Sequence, residues 1–232
     1  MIRAVFFDLD DTLFDHQYSR RCGLEVLRTM QSALRGADIH AMERYHEQLI
    51  WSDYERVLSG EIPIHDAMTQ RICALCDHFG HPLDPAGIPA TVRNYDAAYR
   101  GNRRAVPGSR ELLEALRGRV KIGIITNGFT ALQNEKIAIC GIAPFIDILV
   151  ISEEAGYRKP DRRIFEKALA LAGTSPAESC FIGDSWNVDI VPAAAYGMKA
   201  VWLNRYGLPC QDTSRACEIT SYGGLDVGEL LG

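Results

Sequence analysis

The stretch VFFDLDDTLFDH, residues 5–16, decides the fold, because a short apolar run leads directly into a cluster of aspartates. Residues 2–7 are short and largely apolar, which predicts a buried strand, and the acids that follow predict a functional loop. The carboxylates of Asp8, Asp10 and Asp11 repel one another unless a positive group lies among them. The sequence therefore predicts a cation at the end of the first strand.

Composition and charge bound the kind of protein. The chain has 232 residues, of which 47% are hydrophobic, and its formal net charge is −5. This allows one large domain, or a core domain with a smaller insert, around a real hydrophobic core. Lys and Arg are scattered along the chain, so nothing indicates a surface for nucleic acid. An anionic substrate must be attracted by local positive groups or by a metal ion.

The cysteines and the hydropathy pattern indicate a reduced protein without a membrane span. Seven cysteines at irregular spacing argue against a disulfide framework. The Cys73-x-x-Cys76 pair lies in an amphipathic helical pattern, where we expect buried free thiols. Asp8 comes too early for a signal peptide, and no apolar run approaches the length of a membrane span. We expect a cytoplasmic protein.

Residues 15–103 have a helical pattern throughout. One apolar stripe runs from Leu24 to Leu34, and two longer ones cover residues 42–58 and 64–80. A shorter helical stretch follows a segment rich in proline and glycine. No convincing strand pattern occurs in this block, so we expect an all-helical insert.

From Val106 onward, strand and helix patterns alternate. Helical patterns cover residues 107–118, 130–141, 162–173 and 188–197, the last interrupted by Pro192, and strand patterns cover residues 120–126, 145–152, 179–185 and 199–204. Such alternation predicts βαβ units and a mostly parallel sheet. We therefore expect an α/β core formed by residues 1–14 and 104–232, with residues 15–103 as a cap over the sheet edge where ligands bind.

Polar residues that suit one active site follow four of the predicted strands. They are Asp8 and Asp10 after the first, Thr126, Asn127 and Gly128 after the second, Lys159 shortly after the third, and Asp184 and Asp189 after the fourth. Because the carboxyl ends of parallel strands share one edge of a sheet, we expect these side chains to converge. This convergence is stronger than any single motif.

The aspartates predict a magnesium site. Hard oxygen ligands at low count suit Mg2+, which keeps waters and shares a substrate phosphate, so Asp8, Asp10 and Asp184 are candidate ligands. With the ion bound, Asp8 stays ionised and can attack phosphorus. Neighbouring carboxylates split their pKa values, so we expect Asp10 to keep a proton and to act as general acid, then as base. Both carboxylates reach the substrate only if the chain coils after Asp8.

The residues after the second and third strands predict phosphate binding. The Thr126 hydroxyl and the backbone N–H groups around Asn127 and Gly128 can hold phosphate oxygens. Lys159 supplies the positive charge that offsets both the phosphate and Asp8. The side chain of Asn127 has a second interpretation, in which it only holds the turn.

The segments FFDLDDT, ITN, RKP and GDSWNVD resemble, in order, the four motifs of the haloacid dehalogenase superfamily. The resemblance implies a Rossmann-like three-layer core and Mg2+-dependent phosphotransfer through an aspartyl-phosphate. It implies that Asp8 is the nucleophile and Asp10 the acid/base, that Asp8, the Asp10 carbonyl and Asp184 bind Mg2+, and that Asp189 supports metal waters or Lys159. The insert after the first strand resembles the C1 cap of the superfamily, which closes over small substrates.

The segments KIGIITNGFTALQ and DILVISEEAGYRKPDRRIF are similar to the bacterial pyrimidine 5′-nucleotidases. This resemblance implies a phosphomonoesterase for nucleoside monophosphates. Sugar phosphates or other small phosphometabolites stay an alternative, because specificity lies in the cap, where no residue can be assigned a contact with a base. We expect a small phosphorylated metabolite as partner, without nucleic acid or membrane, and the sequence leaves monomer or dimer open.

Two other functions fit parts of the pattern. A 2-haloacid dehalogenase attacks carbon with its aspartate and needs neither a metal nor an acid/base two residues on, so Asp10 and the pair Asp184 and Asp189 argue against it. A phospho-accepting receiver also uses strand-end acids with Thr and Lys, but it is about half as long and has no helical insert after its first strand. The phosphate-binding motifs G-x-x-x-x-G-K-[ST] and G-x-G-x-x-G are both absent from the sequence.

Several residues near these motifs keep two interpretations. His16 is a candidate for substrate contact or for a hinge of the cap, and Phe129 is a comparable candidate for contact with a base. Trp51, with Tyr54 and Tyr45, is a candidate for stacking on a base, but a helical aromatic stripe is more often part of a core, so we expect it in the core of the cap. Asp11 is expected to stabilise the coil after the first strand, and Asp15 to lie on the surface or to cap a helix.

Overall fold

The computed structural model describes residues 1–209, 212, 214 and 216–232. The chain forms two compact units, one comprising Met1–Asp15 and Arg104–Gly232 and the other His16–Arg103. We call them the α/β unit and the helical unit. No helix in the described ranges combines the length and the apolar character that a membrane crossing requires. Of the seven cysteines, Cys210 lies outside the described residues.

The helical unit is built from four helices, α1 (His16–Met30), α2 (Ile39–Leu58), α3 (Ile64–His78) and α4 (Ile88–Gly101). Their buried apolar residues form one core, which includes Leu24, Met42, Ile72 and Val92. Cys76 is buried in this core and Cys73 is half-buried, and both are free thiols. The Asp38 side chain starts α2 by accepting a hydrogen bond from the His40 N–H, 3.0 Å away.

Two expectations for the helical unit were wrong. The first stripe does not continue as one helix to Leu34, because Gln31 has extended backbone angles and a separate 3-10 turn follows at Ser32–Leu34. The Gln31 side chain lies 2.9 Å from Nε2 of His81, so it serves a tertiary contact. Trp51 is not in the core either, since 59% of it is exposed.

The α/β unit contains a parallel sheet whose strands are β1 (Ala4–Phe7), β2 (Lys121–Thr126), β3 (Ile148–Ile151), β4 (Ser179–Gly183), β5 (Lys199–Leu203) and β6 (Cys217–Ile219). Within the described residues the order across the sheet is β3-β2-β1-β4-β5-β6. The predicted α/β class with a parallel sheet is confirmed. The sequence pattern did not show β6, because it has three residues and none of them is fully buried.

Helices cover both faces of the sheet, which gives the expected three layers. The helices are α5 (Ser109–Leu116), α6 (Thr130–Ile139), α7 (Ser152–Ala155), α8 (Arg162–Ala172), α9 (Val191–Ala195) and α10 (Val227–Leu231). Val5 and Phe7 of β1 share a core cluster with residues of α5, α6 and α10. Ala4 and Phe6 point to the opposite face and pack in a cluster with residues of α8 and α9. Because β1 is buried on both faces, it reads as a continuous apolar run.

Pro192 lies in the first turn of a helix, where the sequence predicted an interruption of one. A turn of π-helix spans Trp186–Ile190, and α9 follows with Pro192 as its second residue. In the first turn of a helix the backbone N–H groups make no hydrogen bond within the helix, so proline, which lacks this N–H, is tolerated there.

The strand order creates a switch point at β1 and β4. From β1 the chain moves outward to β2 and β3 on one side, then returns to β4 on the other side and continues outward through β5 to β6. In open α/β sheets the crevice at the carboxyl ends of such a strand pair is where ligands bind. The acidic loop that follows β1 begins in this crevice.

Candidate active site

Asp8 extends the ladder between β1 and β4 by one residue. Its N–H donates to the Ile182 carbonyl of β4 at 2.9 Å, and its side chain is buried with 7% of the residue exposed. The strand pairing therefore fixes the direction of the Asp8 side chain before any ligand is present.

Lys159 lies between two buried carboxylates. Its Nζ is 2.6 Å from Oδ1 of Asp8 and 2.6 Å from Oδ1 of Asp189. Lys159 and Asp189 are 3% and 1% exposed. Such charge-assisted hydrogen bonds in a buried site hold all three groups in one arrangement.

Burial and the neighbouring charges shift the pKa values of this group. Burial raises the pKa of Asp8 to about 7 despite the opposing charge of Lys159. Burial alone would lower the pKa of Lys159, but the charges of Asp189 and Asp8 outweigh it and raise that pKa, so the ammonium stays charged. Burial also raises the pKa of Asp184, and the charges of Asp11 and Asp8 raise it further.

Asp8, Asp184 and Asp189 form a cluster with metal-ligand geometry, since each offers a carboxylate oxygen and these oxygens lie within 4.8 Å of one another. Lys159 offsets only part of their charge, and oxygen ligands of this kind suit a hard divalent cation. The residues present therefore fit a metal ion. The carboxylate of Asp10 is not a member of this cluster.

The loop and strand around Asp184 hold it in place. The Thr12 hydroxyl lies 3.5 Å from Oδ1 of Asp184, and the indole N–H of Trp202 donates to the Asp184 carbonyl at 2.8 Å. The buried Tyr222 hydroxyl donates to the Thr12 carbonyl at 3.0 Å, so it supports the same loop. Asp184 thus has contacts that fix both its backbone and its side chain.

The chain turns back on itself directly after Asp8. The N–H groups of Leu13 and Phe14 both donate to the Leu9 carbonyl, and Asp11 takes the left-handed conformation, with φ 60°. The Asp10 carboxylate is half-buried and lies 2.7 Å from Nζ of Lys136 through both of its oxygens. Asp10 therefore faces α6 rather than the cluster of Asp8, Asp184 and Asp189.

The expected division of roles between Asp8 and Asp10 stays a prediction, but the structure shows different contacts for the two carboxylates. The interpretation from sequence had Asp8 ionised and Asp10 protonated because the two repel each other. In the structure each carboxylate has its own ammonium, Lys159 for Asp8 and Lys136 for Asp10. Burial, rather than mutual repulsion, is the main cause of the raised pKa of Asp8.

The loop after β2 connects the phosphate-binding candidates to Lys159. The Asn127 side chain donates to the Lys159 carbonyl at 3.0 Å and accepts from the Lys159 N–H at 2.9 Å. It therefore holds two loops together, in line with the second of its two interpretations. The Gly128 N–H donates to the Ser152 hydroxyl oxygen at 2.9 Å, and the Thr126 hydroxyl oxygen accepts from Gln133 at 2.6 Å.

Gly183 gives Asp189 the space that it needs. A Cβ atom on Gly183 would lie 2.6 Å from Cβ and from Oδ2 of Asp189. The N–H of Ser185 donates to the same Oδ2 at 3.1 Å, while Oδ1 binds Lys159. The sequence G-D-S followed by Asp189 is thus a close-packed turn with no room for a side chain at its first position.

Asp15 was expected at the surface or as a helix cap, and the surface interpretation was wrong. Its carboxylate is fully buried and binds two guanidinium groups, those of Arg104 and Arg205, each at 2.9 Å. The backbone N–H of Asp15 also donates to the Arg104 carbonyl at 2.9 Å. Asp15 therefore ties together distant parts of the α/β unit.

His16 and Phe129 lie in different surroundings. Nδ1 of His16 is 3.0 Å from the hydroxyl of Tyr99 within the helical unit. Phe129 is half-buried at the N-cap position of α6, directly after the loop that follows β2. Their roles toward substrate stay predictions.

The structure adds residues that the sequence interpretation missed. Gln133 and Lys136 of α6 contact Asp10, and Ser152 contacts the Gly128 backbone. A signal was available for the first two, because polar residues three apart on a helix that starts just after a phosphate-binding loop share one face. Nothing in the sequence pattern distinguishes Ser152 from an ordinary helix-start serine.

Comparison with known proteins agrees with this fold. The profile of the haloacid dehalogenase-like hydrolases matches residues 2–197. The pyrimidine 5′-nucleotidase YjjG of Escherichia coli is 32% identical over 204 residues, which cover 87% of this chain and 86% of that protein. A glyceraldehyde 3-phosphate phosphatase of Methanothermobacter thermautotrophicus is 31% identical over 209 residues, covering 88% and 86%.

A solved structure shows the same fold. The crystal structure of the HAD-hydrolase YfnB of Bacillus subtilis, bound to magnesium, superposes with a TM-score of 0.72 at 21% identity and covers 100% of this chain and 99% of that one. The chain belongs to the haloacid dehalogenase-like hydrolase family.

Proposed function

We propose that this hydrolase is a Mg2+-dependent phosphomonoesterase that forms an aspartyl-phosphate on Asp8. The observation that carries the proposal is the buried group in which Lys159 binds Asp8 and Asp189 beside Asp184, at the switch point of the sheet. A nucleophilic carboxylate must be oriented and prevented from rotating, and the contact from Lys159 to Oδ1 does this for Asp8. Phosphatases are also named among the relatives, as reported above.

The metal ligands in this proposal are the carboxylates of Asp8 and Asp184 and the carbonyl of Asp10, with Asp189 in support. When bound, Mg2+ supplies positive charge that offsets the charge gathered on the carboxylates and the phosphate. Asp189 has a second task, because it also binds the ammonium of Lys159 and so helps to fix its position.

The other residues divide the remaining chemistry between them. Asp8 attacks phosphorus, and Asp10 gives a proton to the leaving oxygen and later takes one from the water that hydrolyses the aspartyl-phosphate. The Thr126 hydroxyl, the Asn127 backbone N–H and the Lys159 ammonium bind phosphate oxygens. The Asn127 side chain contributes indirectly, because it joins the loop of Thr126 to the loop of Lys159.

For the substrate we propose nucleoside monophosphates, pyrimidine ones first. Two relatives, YjjG and PynA of Streptococcus pneumoniae, are named pyrimidine 5′-nucleotidases, and PynA is 30% identical over 211 residues. Sugar phosphates are the second candidate, because glyceraldehyde 3-phosphate phosphatases match at similar identity. We infer that the helical unit, residues 16–103, is the cap that selects between them. It is inserted into the loop that carries Asp8 and Asp10.

One assay tests this function. The protein is incubated with Mg2+ and dUMP, UMP, dTMP, purine monophosphates, sugar phosphates or phosphoglycolate, and released phosphate is measured. We expect turnover that EDTA and Asp8→Asn each abolish, while Lys167→Met, at an exposed lysine of α8, retains it. Turnover that survives both treatments would disprove the mechanism. Strong turnover of sugar phosphates without turnover of nucleotides would disprove only the substrate class.

A further inference from the structure

Helix α6 presents two polar side chains to the catalytic loop. Gln133 and Lys136 are three residues apart, so they share one face of the helix. Both contact Asp10, Gln133 through Oδ2 at 3.1 Å and Lys136 through both carboxylate oxygens. Gln133 is 1% exposed, so its amide cannot rely on water for its hydrogen bonds.

The surroundings of Gln133 fix which end of its amide faces the site. Its Nε2 lies 2.6 Å from the Thr126 hydroxyl oxygen, 3.1 Å from the Asn127 carbonyl and 3.1 Å from Oδ2 of Asp10. The Asn127 carbonyl oxygen can only accept a hydrogen bond, so the nitrogen end of the amide must point toward it. Gln133 is thus a donor shared by the phosphate loop and by Asp10.

This donor determines what the Thr126 hydroxyl can do. Because its oxygen accepts from Gln133, its own proton must find another acceptor. Within the α/β unit the Asn127 carbonyl is 3.5 Å away, which is long for such a bond, and it already accepts from Gln133. A phosphate oxygen is the acceptor that this hydroxyl proton suits.

Lys136 has a different effect. It orients the Asp10 carboxylate, whereas Gln133 determines where the Thr126 hydroxyl can donate its proton. Its Nζ contacts both oxygens of Asp10 at 2.7 Å, which fixes the plane of the carboxylate as well as its position. The ring of Phe14 lies 5.5 Å from the same Nζ, so the aromatic side chain supports the ammonium from the loop side.

We propose that Gln133 and Lys136 are positioning residues, which aim the Asp10 carboxylate and set the Thr126 hydroxyl as a phosphate donor. The inference rests on the proposed function. It goes beyond that function because it assigns roles to two residues of α6 that lie outside the four family motifs. Lys136 affects proton transfer to the leaving group, whereas Gln133 affects both proton transfer and phosphate binding.

Two substrates separate these roles. 4-Nitrophenyl phosphate has a leaving group that departs without a proton, whereas a nucleoside monophosphate has an alkoxide leaving group that requires one. The quantity to compare is kcat/KM, because it reports the steps up to formation of the aspartyl-phosphate and is not affected by its later hydrolysis. The variants are Lys136→Met, Lys136→Arg, Gln133→Leu and Gln133→Glu, with Lys167→Met and Gln70→Met at exposed positions as controls.

For Lys136→Met we expect kcat/KM to fall by about 10- to 100-fold with the nucleotide and by less than about 3-fold with 4-nitrophenyl phosphate, since general acid catalysis contributes on the order of 100-fold or more. Lys136→Arg should recover most of the loss, because a guanidinium group can also bind both carboxylate oxygens. If Lys136 had only a structural role, Lys136→Met would lower kcat/KM equally for both substrates, whatever the leaving group.

For Gln133→Leu we expect kcat/KM to fall with both substrates, because both present the same phosphate to Thr126. Gln133→Glu should be worse than Gln133→Leu, although it is nearly isosteric with Gln133. Its carboxylate would accept the Thr126 hydroxyl proton and repel Asp10. An equal loss of kcat/KM in the two variants would contradict the inference that Gln133 donates to the Thr126 hydroxyl oxygen.

The outcomes distinguish this inference from the function on which it rests. If the unaltered protein hydrolyses neither substrate, the proposed function fails. If it hydrolyses both and the α6 variants behave like Lys167→Met and Gln70→Met, the function stands and the positioning role is disproved. Circular dichroism and urea unfolding of each variant identify any loss that comes from misfolding.

Discussion

At the scale of single residues, Lys159 is the positive group that pairs with two buried carboxylates of the site, Asp8 and Asp189. It is buried with two carboxylates, and removing it leaves two negative charges in a site that already contains Asp184. Breaking a buried ion pair on one side is costly because the remaining charge has no partner. The stability of the fold therefore depends on the same contacts that orient Asp8.

We expect Lys159→Met, studied in EDTA, to lower the free energy of unfolding by about 3–5 kcal/mol. Without the ammonium the folded-state pKa of Asp8, already raised to about 7, rises further above its unfolded value of 3.8. The folded protein then binds a proton more tightly than the unfolded chain, so the loss of stability grows as the pH rises. Urea unfolding at several pH values measures this.

The double variant Lys159→Met with Asp189→Asn should regain part of that stability, because one of the unpaired charges is removed. A loss that is the same at acidic and alkaline pH would contradict the electrostatic explanation. Lys167→Met, at an exposed lysine, is the control and should be within about 0.5 kcal/mol of the unaltered protein.

The strand-end residues were predictable from sequence because chemistry and topology restrict them together. A parallel sheet places Asp8, Thr126 and Asp184 at one edge, and the loop between α7 and α8 brings Lys159 to them. Gln133, Lys136 and the buried Asp15 were not predictable in the same way. Their partners lie across packed elements, and a polar residue on a helix or in a loop reads as exposed until its partner is known.

At the scale of elements, the turn after β4 depends on close packing. Gly183 ends the strand, and the side chain of Asp189 lies over it. Asp189 in turn binds Lys159, so a small steric change at the end of β4 also alters the position of the Lys159 ammonium. The strand and the π-helical turn that follows it act here as one unit.

We expect Gly183→Ala to displace Asp189, because its new Cβ would lie 2.6 Å from two atoms of that side chain. Overpacking of this kind costs about 1–3 kcal/mol of unfolding free energy. Phosphate release should fall as well, since Lys159 loses one of its two anchors. Gly224→Ala is the control, because a Cβ there meets nothing within 4 Å. Equal stability and activity in the two variants would be inconsistent with the close approach.

Helix α2 contains a buried histidine that makes the helical unit sensitive to acid. Burial, together with the charges of Arg20, Arg71 and His16, lowers the pKa of His46 from 6.5 to about 3. The unfolded chain binds a proton below pH 6.5 and the folded chain does not. Stability is therefore present above pH 6.5 and is lost as the pH falls.

Between pH 7 and pH 5 we expect His46 to account for about 2 kcal/mol of lost stability, as an upper value. The measurement is urea unfolding at both pH values for the unaltered protein and for His46→Met. The variant should lose less stability on acidification by that amount. His65→Gln, at an exposed histidine, should retain the full loss. A pH dependence unchanged by His46→Met would refute the explanation.

Element types were predicted better than element ends. Buried strands such as β1 and β4 are continuous apolar runs, which identifies them. The end of α1 at Met30 and the start of α9 at Val191, just before Pro192, were missed, because each is decided by local backbone geometry. Strand β6 was missed because it pairs only through its backbone and buries little apolar surface.

At the scale of the whole molecule, the helical unit is an insertion whose two ends meet. In the α/β unit, the N–H of Val106 donates to the Leu13 carbonyl at 2.8 Å, next to the bond from Asp15 to Arg104. The points at which the insert leaves and re-enters this unit are thus hydrogen-bonded neighbours. Each unit also has its own apolar core.

Replacing residues 16–103 with a short Gly-Ser linker should therefore leave a folded α/β unit. We expect cooperative thermal unfolding by circular dichroism and residual hydrolysis of 4-nitrophenyl phosphate. Discrimination among nucleotides and sugar phosphates should disappear if the helical unit is the cap that selects substrate. A shortened protein that folds and keeps the full substrate preference would contradict that role.

The central claim is that Asp8 becomes phosphorylated, and trapping this intermediate tests it most directly. In Asp10→Asn the base for the second step is absent, and 4-nitrophenyl phosphate needs no acid for the first, so the aspartyl-phosphate should accumulate. The mixture is quenched with borohydride, which reduces an acyl phosphate to an alcohol, and the peptides are analysed by mass spectrometry. We predict reduction of Asp8 to homoserine, dependent on Mg2+ and substrate, with Asp184 and Asp189 unchanged. Release of 4-nitrophenolate with Asp8 unmodified, or reduction at another carboxylate, would contradict the account.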